Sequence, residues 1–156
     1  MKTPQASARD CFVCGVKNPF GLHIQFFKTE SGFVEADFSL PDTFQGYPGI
    51  IHGGVIAAIL DEAAGRSHMG TGEQPRFMVT AKLEIRYRKS VPVNQPLHLV
   101  GRAGFSKART ATATSSIYNQ QDELLAEADV VLVNIPESAI PDADLEALGW
   151  KVYPAT

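Results

Sequence analysis

The chain lacks what would tie it to nucleic acid or to a bilayer. Lys and Arg number 14 against 17 Asp and Glu, for a net charge of −3, and no basic run is longer than 86–89. Without a positive surface to hold a phosphate backbone, nucleic acid is not an expected partner. No apolar stretch approaches the roughly 20 residues that cross a membrane. The opening residues, Met-Lys-Thr-Pro-Gln-Ala-Ser-Ala-Arg-Asp, hold no apolar signal core, so the expectation is a soluble, cytoplasmic protein with no membrane partner, an organellar one being the alternative. Cysteine is scarce too: Cys11 and Cys14 are the two in the chain. A structural zinc site needs four ligands, and His23 would still leave this pair short, so no metal is expected. A redox pair normally opens a helix, which Pro19 and Gly21 would break. Reduced structural cysteines are the simplest account, with metal binding and redox chemistry as the alternatives.

What the chain does have, in its 156 residues with 44% hydrophobic side chains, is enough material for one ordinary core. It centres on residues 52–66, His-Gly-Gly-Val-Ile-Ala-Ala-Ile-Leu-Asp-Glu-Ala-Ala-Gly-Arg. Strong helix formers after a glycine-rich entrance predict a buried central helix. At 100° per residue, Val55, Ile56, Ile59, Leu60 and Ala63 form an aliphatic arc that can pack on a sheet. The opposite arc holds Gly54, Ala57, Ala58, Asp61, Ala64 and Gly65, so a second copy or an acyl chain can approach Asp61 closely. Glu62 and Arg66, four apart, are expected to pair on the helix surface, which leaves Asp61 the better catalytic candidate.

Gly53 and Gly54 open the helix, where the first N–H groups have no partner within it and the dipole is positive. That is a natural oxyanion site. Asp61 lies nine positions after His52, roughly 13 Å along the axis and on the opposite face. The two cannot serve one reaction centre within one helix. A site shared across a homodimer is therefore expected.

Around this helix the pattern predicts strands over 22–27 and 33–40, a Gly- and Pro-rich loop over 41–51 that brings Gln45 and Tyr47 near the helix entrance, and strands over 76–88, 97–105, 109–118 and 124–135. In the 76–88 stretch, Phe77, Val79, Ala81, Leu83, Ile85 and Tyr87 alternate against Met78, Thr80, Lys82, Glu84, Arg86 and Arg88. The order implies an α+β domain over 1–135, an antiparallel sheet of about six strands around one long helix. Residues 136–156, with a helical candidate at 142–148, read as an appendage packed by Leu145, Leu148 and Trp150.

The segment Gly46-Tyr47-Pro48-Gly49-Ile50-Ile51-His52-Gly53-Gly54, six residues, Asp61, and then residues 79–89 with Val91-Pro92 resembles the hotdog-fold acyl-CoA thioesterases. The resemblance is to the branch of the phenylacetyl-CoA pathway thioesterases within the 4-hydroxybenzoyl-CoA thioesterase superfamily. The N-terminal Cys-x-x-Cys-Gly with Asn18-Pro19-x-Gly21-Leu22 fits the same branch. The resemblance implies the hotdog fold, an acyl-CoA substrate, no cofactor, and a homodimer or homotetramer. It makes Asp61 the general base or nucleophile, Gly53 the N–H that polarises the thioester carbonyl, His52 the residue that holds the site, and Thr80 the hydroxyl that positions water, Asp61 and Thr80 coming from the subunit that faces Gly53. Gly46 stands where several members carry Asn or Gln, and Gln45 or His52 would have to supply that contact. Gly54, Gln45 and Tyr47 are candidates for substrate binding, and Arg86, Arg88, Lys89, Lys107 and Arg109 for the coenzyme A phosphates. The plain alternatives are a helix-entry His52, a strand-filling Thr80, a hydrogen-bonded interface Asp61 and a merely solvated charged face. An acyl-CoA-binding or sensing domain without chemistry is the competing function. A hotdog hydratase or dehydratase is disfavoured, because His52 followed by two glycines does not suit it.

Overall fold

The computed structural model describes residues 1–72, 74–140 and 144–154. Its organising element is the helix α1, Gly53–Ser67. Ile56, Ile59, Leu60, Ala63 and Ala64 are all but fully buried on it, and each large aliphatic side chain so placed contributes about 1.5–3 kcal/mol. Ala64, expected on the open small-residue face, thus belongs to the core. Ala57, Ala58, Asp61 and Gly65 are half-buried.

The main sheet has seven antiparallel strands in the order β1-β3-β4-β6-β7-β8-β5: β1 (Lys2–Pro4), β3 (Phe27–Thr29), β4 (Val34–Phe38), β5 (Met78–Tyr87), β6 (Leu97–Ser106), β7 (Thr110–Tyr118) and β8 (Leu124–Asn134). This is the hotdog arrangement, one long helix laid on a large antiparallel sheet. Two particular contacts set α1 close to the strands. A Cβ on Gly101 of β6 would collide with the carbonyl of Ala63, so glycine lets the helix backbone rest on the strand. The buried Ser115 hydroxyl on β7 donates to Leu60 C=O at 2.7 Å, fixing the turn that carries Asp61. At the far end of α1, Gln5 Nε2 donates to the Arg66 and Gly70 carbonyls and Lys28 Nζ to Ser67 C=O at 3.0 Å, satisfying acceptors the helix leaves open.

The sequence reading needs several corrections. The strand expected over 22–27 survives only as β3. His23 has φ 54, which interrupts a ladder, and Leu22 and Ile24 donate instead to Phe12 and Val13 in the cysteine turn. The polar lead is structured: β1 forms the sheet's edge beyond β3, and β2 (Ser7–Ala8) pairs with β9 (Trp150–Lys151) in a separate two-stranded sheet. Of the helical candidate at 142–148, residues 142 and 143 lie outside the described residues. Residues 145–149 are hydrogen-bonded turns, with Trp150 packed edge-on against Phe77 at 4.9 Å.

The correction with most consequence is in β5. Thr80 pairs with Leu132 and Lys82 with Val131, so Ala81 is the extra residue of a β-bulge. The bulge reverses the expected alternation at its N-terminal end. Thr80 stands opposite the buried Leu132, and Leu83 opposite the buried Val130. Met78, Thr80, Leu83, Ile85 and Tyr87 therefore all point to the helix side, and Val79 is turned outward, 44% exposed.

Candidate active site

At the N-terminus of α1 the chain leaves a short loop in which Gly46 N–H donates to Ile50 C=O and His52 N–H to Phe44 C=O. His52 is the N-cap: its Nδ1 accepts the Gly54 N–H at 2.9 Å. A lone pair must face that donor, so Nδ1 is unprotonated and the ring hydrogen sits on Nε2. The cap occupies the Gly54 N–H, which is therefore not free to meet a ligand. Gly53 N–H meets no acceptor among the described residues and lies at the positive end of the dipole. Tyr87, from the far end of β5, donates its hydroxyl to Gly53 C=O at 2.8 Å and so ties the helix entrance to the sheet. A cavity of about 890 Å³ opens here, lined by Gly46, Tyr47, His52, Gly53, Tyr87, Arg88 and Lys89 among others. Tyr87, not singled out in the sequence as a site residue, is a member of it. Its place inside the conspicuous strand motif was the available signal.

Eight residues along α1, about 12 Å at 1.5 Å per residue, Asp61 meets the other end of β5. Thr80 Oγ1 donates to Asp61 Oδ1 at 2.5 Å, a contact that exists because the Ala81 bulge turns Thr80 inward. Asp61 and Thr80 share a second cavity of about 280 Å³ with Glu62, Gly65 and Arg66. The helix thus carries an unpartnered donor at its entrance and a hydroxyl-supported carboxylate just past its middle. The fold brings Asp61 together with Thr80, and Gly53 with His52, but keeps the two pairs apart within one chain.

The remaining candidates divide along the same line. Gln45 is spent on the loop, its Oε1 accepting the Gly49 N–H at 3.1 Å, whereas Tyr47 is 81% exposed at the cavity mouth. A Cβ on Gly46 would stand 3.4 Å from His52 Cα and Cδ2, which places this position directly against the histidine. Arg88 and Lys89 border the Gly53 cavity, paired with Glu127 at 3.1 Å and Glu123 at 2.6 Å. The Lys89 ammonium, and then Asn119, lower the Glu123 carboxyl below its ordinary range. Arg86 is exposed on the outer face of β5. Lys107 and Arg109 lie at the β6–β7 connection, where Arg76 donates to Lys107 C=O. The basic residues form no single cluster in one chain.

Arg66 overturns the expectation of a surface pair with Glu62. It is 3% exposed. Its Nε does bind Glu62 at 2.7 Å, but Nη1 donates to Ala6 C=O at 2.9 Å, Nη2 to Cys14 Sγ at 3.0 Å, and the guanidinium lies 4.5 Å from the centre of the Phe26 ring. Nothing in the spacing of Glu62 and Arg66 distinguishes a buried hub from a solvated pair.

Comparison with known proteins decides the family. The sequence model described as the thioesterase superfamily matches residues 48–126, just over half of the chain and the part that spans both half-sites. The chain belongs to the thioesterase superfamily. Another thioesterase superfamily protein, RHA08564, superposes with a TM-score of 0.73 at 27% identity, over 80% of this chain and 63% of that one. A Streptococcus mutans protein with acetyl-CoA bound superposes with a TM-score of 0.64 at 25% identity, over 72% and 88%. A stretch of 49 residues, 31% of this chain, is 43% identical to the acyl-coenzyme A thioesterase THEM4 of Rattus norvegicus. This thioesterase-superfamily chain spans only 20% of that relative's length.

Proposed function

We propose that this thioesterase-superfamily chain hydrolyses acyl-CoA thioesters at a site built from two copies of itself. The observation that carries the reading is the division of α1: an unpartnered Gly53 N–H at its entrance and the Asp61–Thr80 pair some 12 Å further on. Attack on a thioester needs a donor near the carbonyl oxygen and a base or nucleophile near the carbonyl carbon, both within hydrogen-bond reach. One chain provides each group but not both at one place. Strand β5 is last in the sheet order, and pairing it about a two-fold axis with a second copy runs the helices antiparallel. Gly53 of one then faces Asp61 of the other. The assembly is a homodimer or a homotetramer of two such dimers.

In this arrangement Gly53 N–H stabilises the negative charge that develops on the carbonyl oxygen, and His52, by occupying Gly54 N–H, holds the first turn in place. Thr80 fixes one oxygen of the Asp61 carboxylate. The other takes a proton from an attacking water, or attacks the carbonyl itself and is freed by water. Either route breaks the C–S bond and releases a thiolate, which needs no metal to leave. Arg88 and Lys89 at one end of α1 and Lys107 and Arg109 from the other are brought to the same side of the dimer to meet coenzyme A phosphates. The acetyl-CoA held by the Streptococcus mutans relative and the acyl-coenzyme A thioesterase name of the rat relative support this choice of substrate.

The test is thiol release from a panel of acyl-CoA thioesters. Asp61→Asn and Asp61→Ala should stay folded and lose about 10²–10⁴ in kcat. Full activity in both removes Asp61 from the mechanism. Saturable acyl-CoA binding without turnover by the unaltered protein would establish a sensing domain instead.

A further inference from the structure

Cys11 and Cys14 sit at the two ends of a tight turn, closed by Gly15 N–H donating to Cys11 C=O at 2.9 Å. Their sulfurs and a Glu62 carboxylate oxygen all lie within 4.8 Å of one another. The two thiols are not equivalent. Cys14 is 2% exposed, whereas Cys11 is half-buried and its sulfur accepts the Cys14 N–H at 3.4 Å. Arg66 places a buried cation 3.0 Å from Cys14 Sγ and holds Glu62 at 2.7 Å. That guanidinium is bound to two of the three groups a divalent ion would need, and its positive charge opposes one there. The same positive charge favours a thiolate in the pair. The Cys11 thiol is drawn down to about 6, first by the hydrogen bond it receives from the Cys14 thiol and then, against burial and Glu62, by the backbone N–H groups of Cys14 and Val13. Cys14 is pushed up, first by giving that hydrogen bond and then by burial, with Arg66 acting in the opposite direction.

We propose that Cys11 and Cys14 form a thiol–disulfide exchange site for small-molecule disulfides, with Cys11 the attacking thiol and Cys14 the resolving one. The Cys11 thiolate attacks one sulfur of R–S–S–R, forming Cys11–S–S–R and releasing RS⁻. Cys14, losing its proton to that thiolate, displaces the second RS⁻ and closes the Cys11–Cys14 disulfide. The protein loses two electrons and the small disulfide gains them as two thiols. Cys11, the half-buried residue of the two, meets the reagent, the enclosed Cys14 waits beside it, and with their sulfurs within 4.8 Å a small shift of the turn closes the bond.

The probe is glutathione disulfide added to the full chain, read by intact mass and peptide mapping. The unaltered protein should lose two hydrogens, keep no glutathionyl group, and return to its starting mass with dithiothreitol. Cys14→Ser should stop at one glutathionyl group on Cys11, and Cys11→Ser should react at least about tenfold more slowly. An unaltered protein that stays unmodified while folded, with both thiols reacting only in denaturant, overturns the proposal without any variant. So does a glutathionyl group that settles first on Cys14. So does zinc retained in equimolar amount by the purified protein and lost in both variants, which would make the pair a metal site.

Discussion

Gly53→Pro isolates the oxyanion donor. Gly53 is the first helical residue after the N-cap, the one helix position where proline's missing N–H and fixed φ are favourable. The residue before a proline is confined to extended backbone, and His52 already has φ −56 and ψ 134. A Cβ at position 53 would meet Tyr87 Oη at 3.6 Å, an ordinary contact. The substitution therefore removes one N–H that has no acceptor among the described residues and should leave stability within about 1 kcal/mol. Loss of a single oxyanion donor lowers kcat by about 10²–10³, or about 2.7–4 kcal/mol. The assay is thiol release from a good acyl-CoA substrate, with Gly53→Ala as the control that keeps the N–H, and KM should move little because the charge exists only in the transition state. Mixing inactive Gly53→Pro with inactive Asp61→Asn and allowing subunits to exchange should restore about a quarter of the original activity, since half the dimers then carry one intact site out of two. A folded Gly53→Pro with undiminished kcat, or an equal loss in Gly53→Ala, refutes the role of the N–H. A mixture that regains nothing refutes the shared site.

Thr80→Val keeps the shape and removes the hydroxyl on Asp61. A hydrogen bond to a charged group contributes about 1.5–3 kcal/mol, so kcat should fall by about 10- to 150-fold and return in Thr80→Ser; an unchanged Thr80→Val would make the residue strand filler. Gly101→Ala forces a methyl into the Ala63 carbonyl and should cost about 1–3 kcal/mol in chemical denaturation, whereas a neutral result would mean that α1 does not rest on β6 there. Arg66→Met should cost about 3–5 kcal/mol by leaving Glu62 and Cys14 without their cation; a loss below about 1 kcal/mol would show that the hub is not structural. With the Cys11 thiol drawn down to about 6, the thiolate is lost as pH falls through that value and is already present at neutral pH. Iodoacetamide labelling of Cys11 should therefore rise around pH 6, and a midpoint near the ordinary thiol range would contradict the Cys14 hydrogen bond.

What could be read from the chain alone follows from how local the cause is. The helix of residues 52–66 and the strands β6, β7 and β8 were legible because their periodicity is uninterrupted and their boundaries carry turn residues. Asp61 stood out because Gly65 occupies the position from which an ordinary ion pair would reach it. The Ala81 bulge was not legible: no glycine or proline marks it, and the side chains on both sides of it alternate as an unbroken strand would. With the bulge went the face of Thr80 and hence its contact with Asp61. The burial of Arg66 was hidden for a different reason. Its partners Ala6, Cys14 and Phe26 come from 40 or more residues away, and helix spacing reports only Glu62. The short β1, β2 and β9 are made by pairing partners rather than by pattern, so a polar lead and a Pro-rich tail gave no sign of them.

The bulge also explains how one strand serves both half-sites on the helix. Thr80 and Tyr87 are an odd number of residues apart, so in a regular strand they would point to opposite faces. The extra residue brings both to the helix side, and β5 touches Asp61 through Thr80 and Gly53 through Tyr87. The same strand is the last in the sheet, with its outer edge unpaired among the described residues. If that edge meets its copy, the element that sets both half-sites is also the element that joins the two chains. Any displacement at the β5 seam would then shift the donor of one copy relative to the carboxylate of the other, so that assembly and catalysis share a single geometric condition.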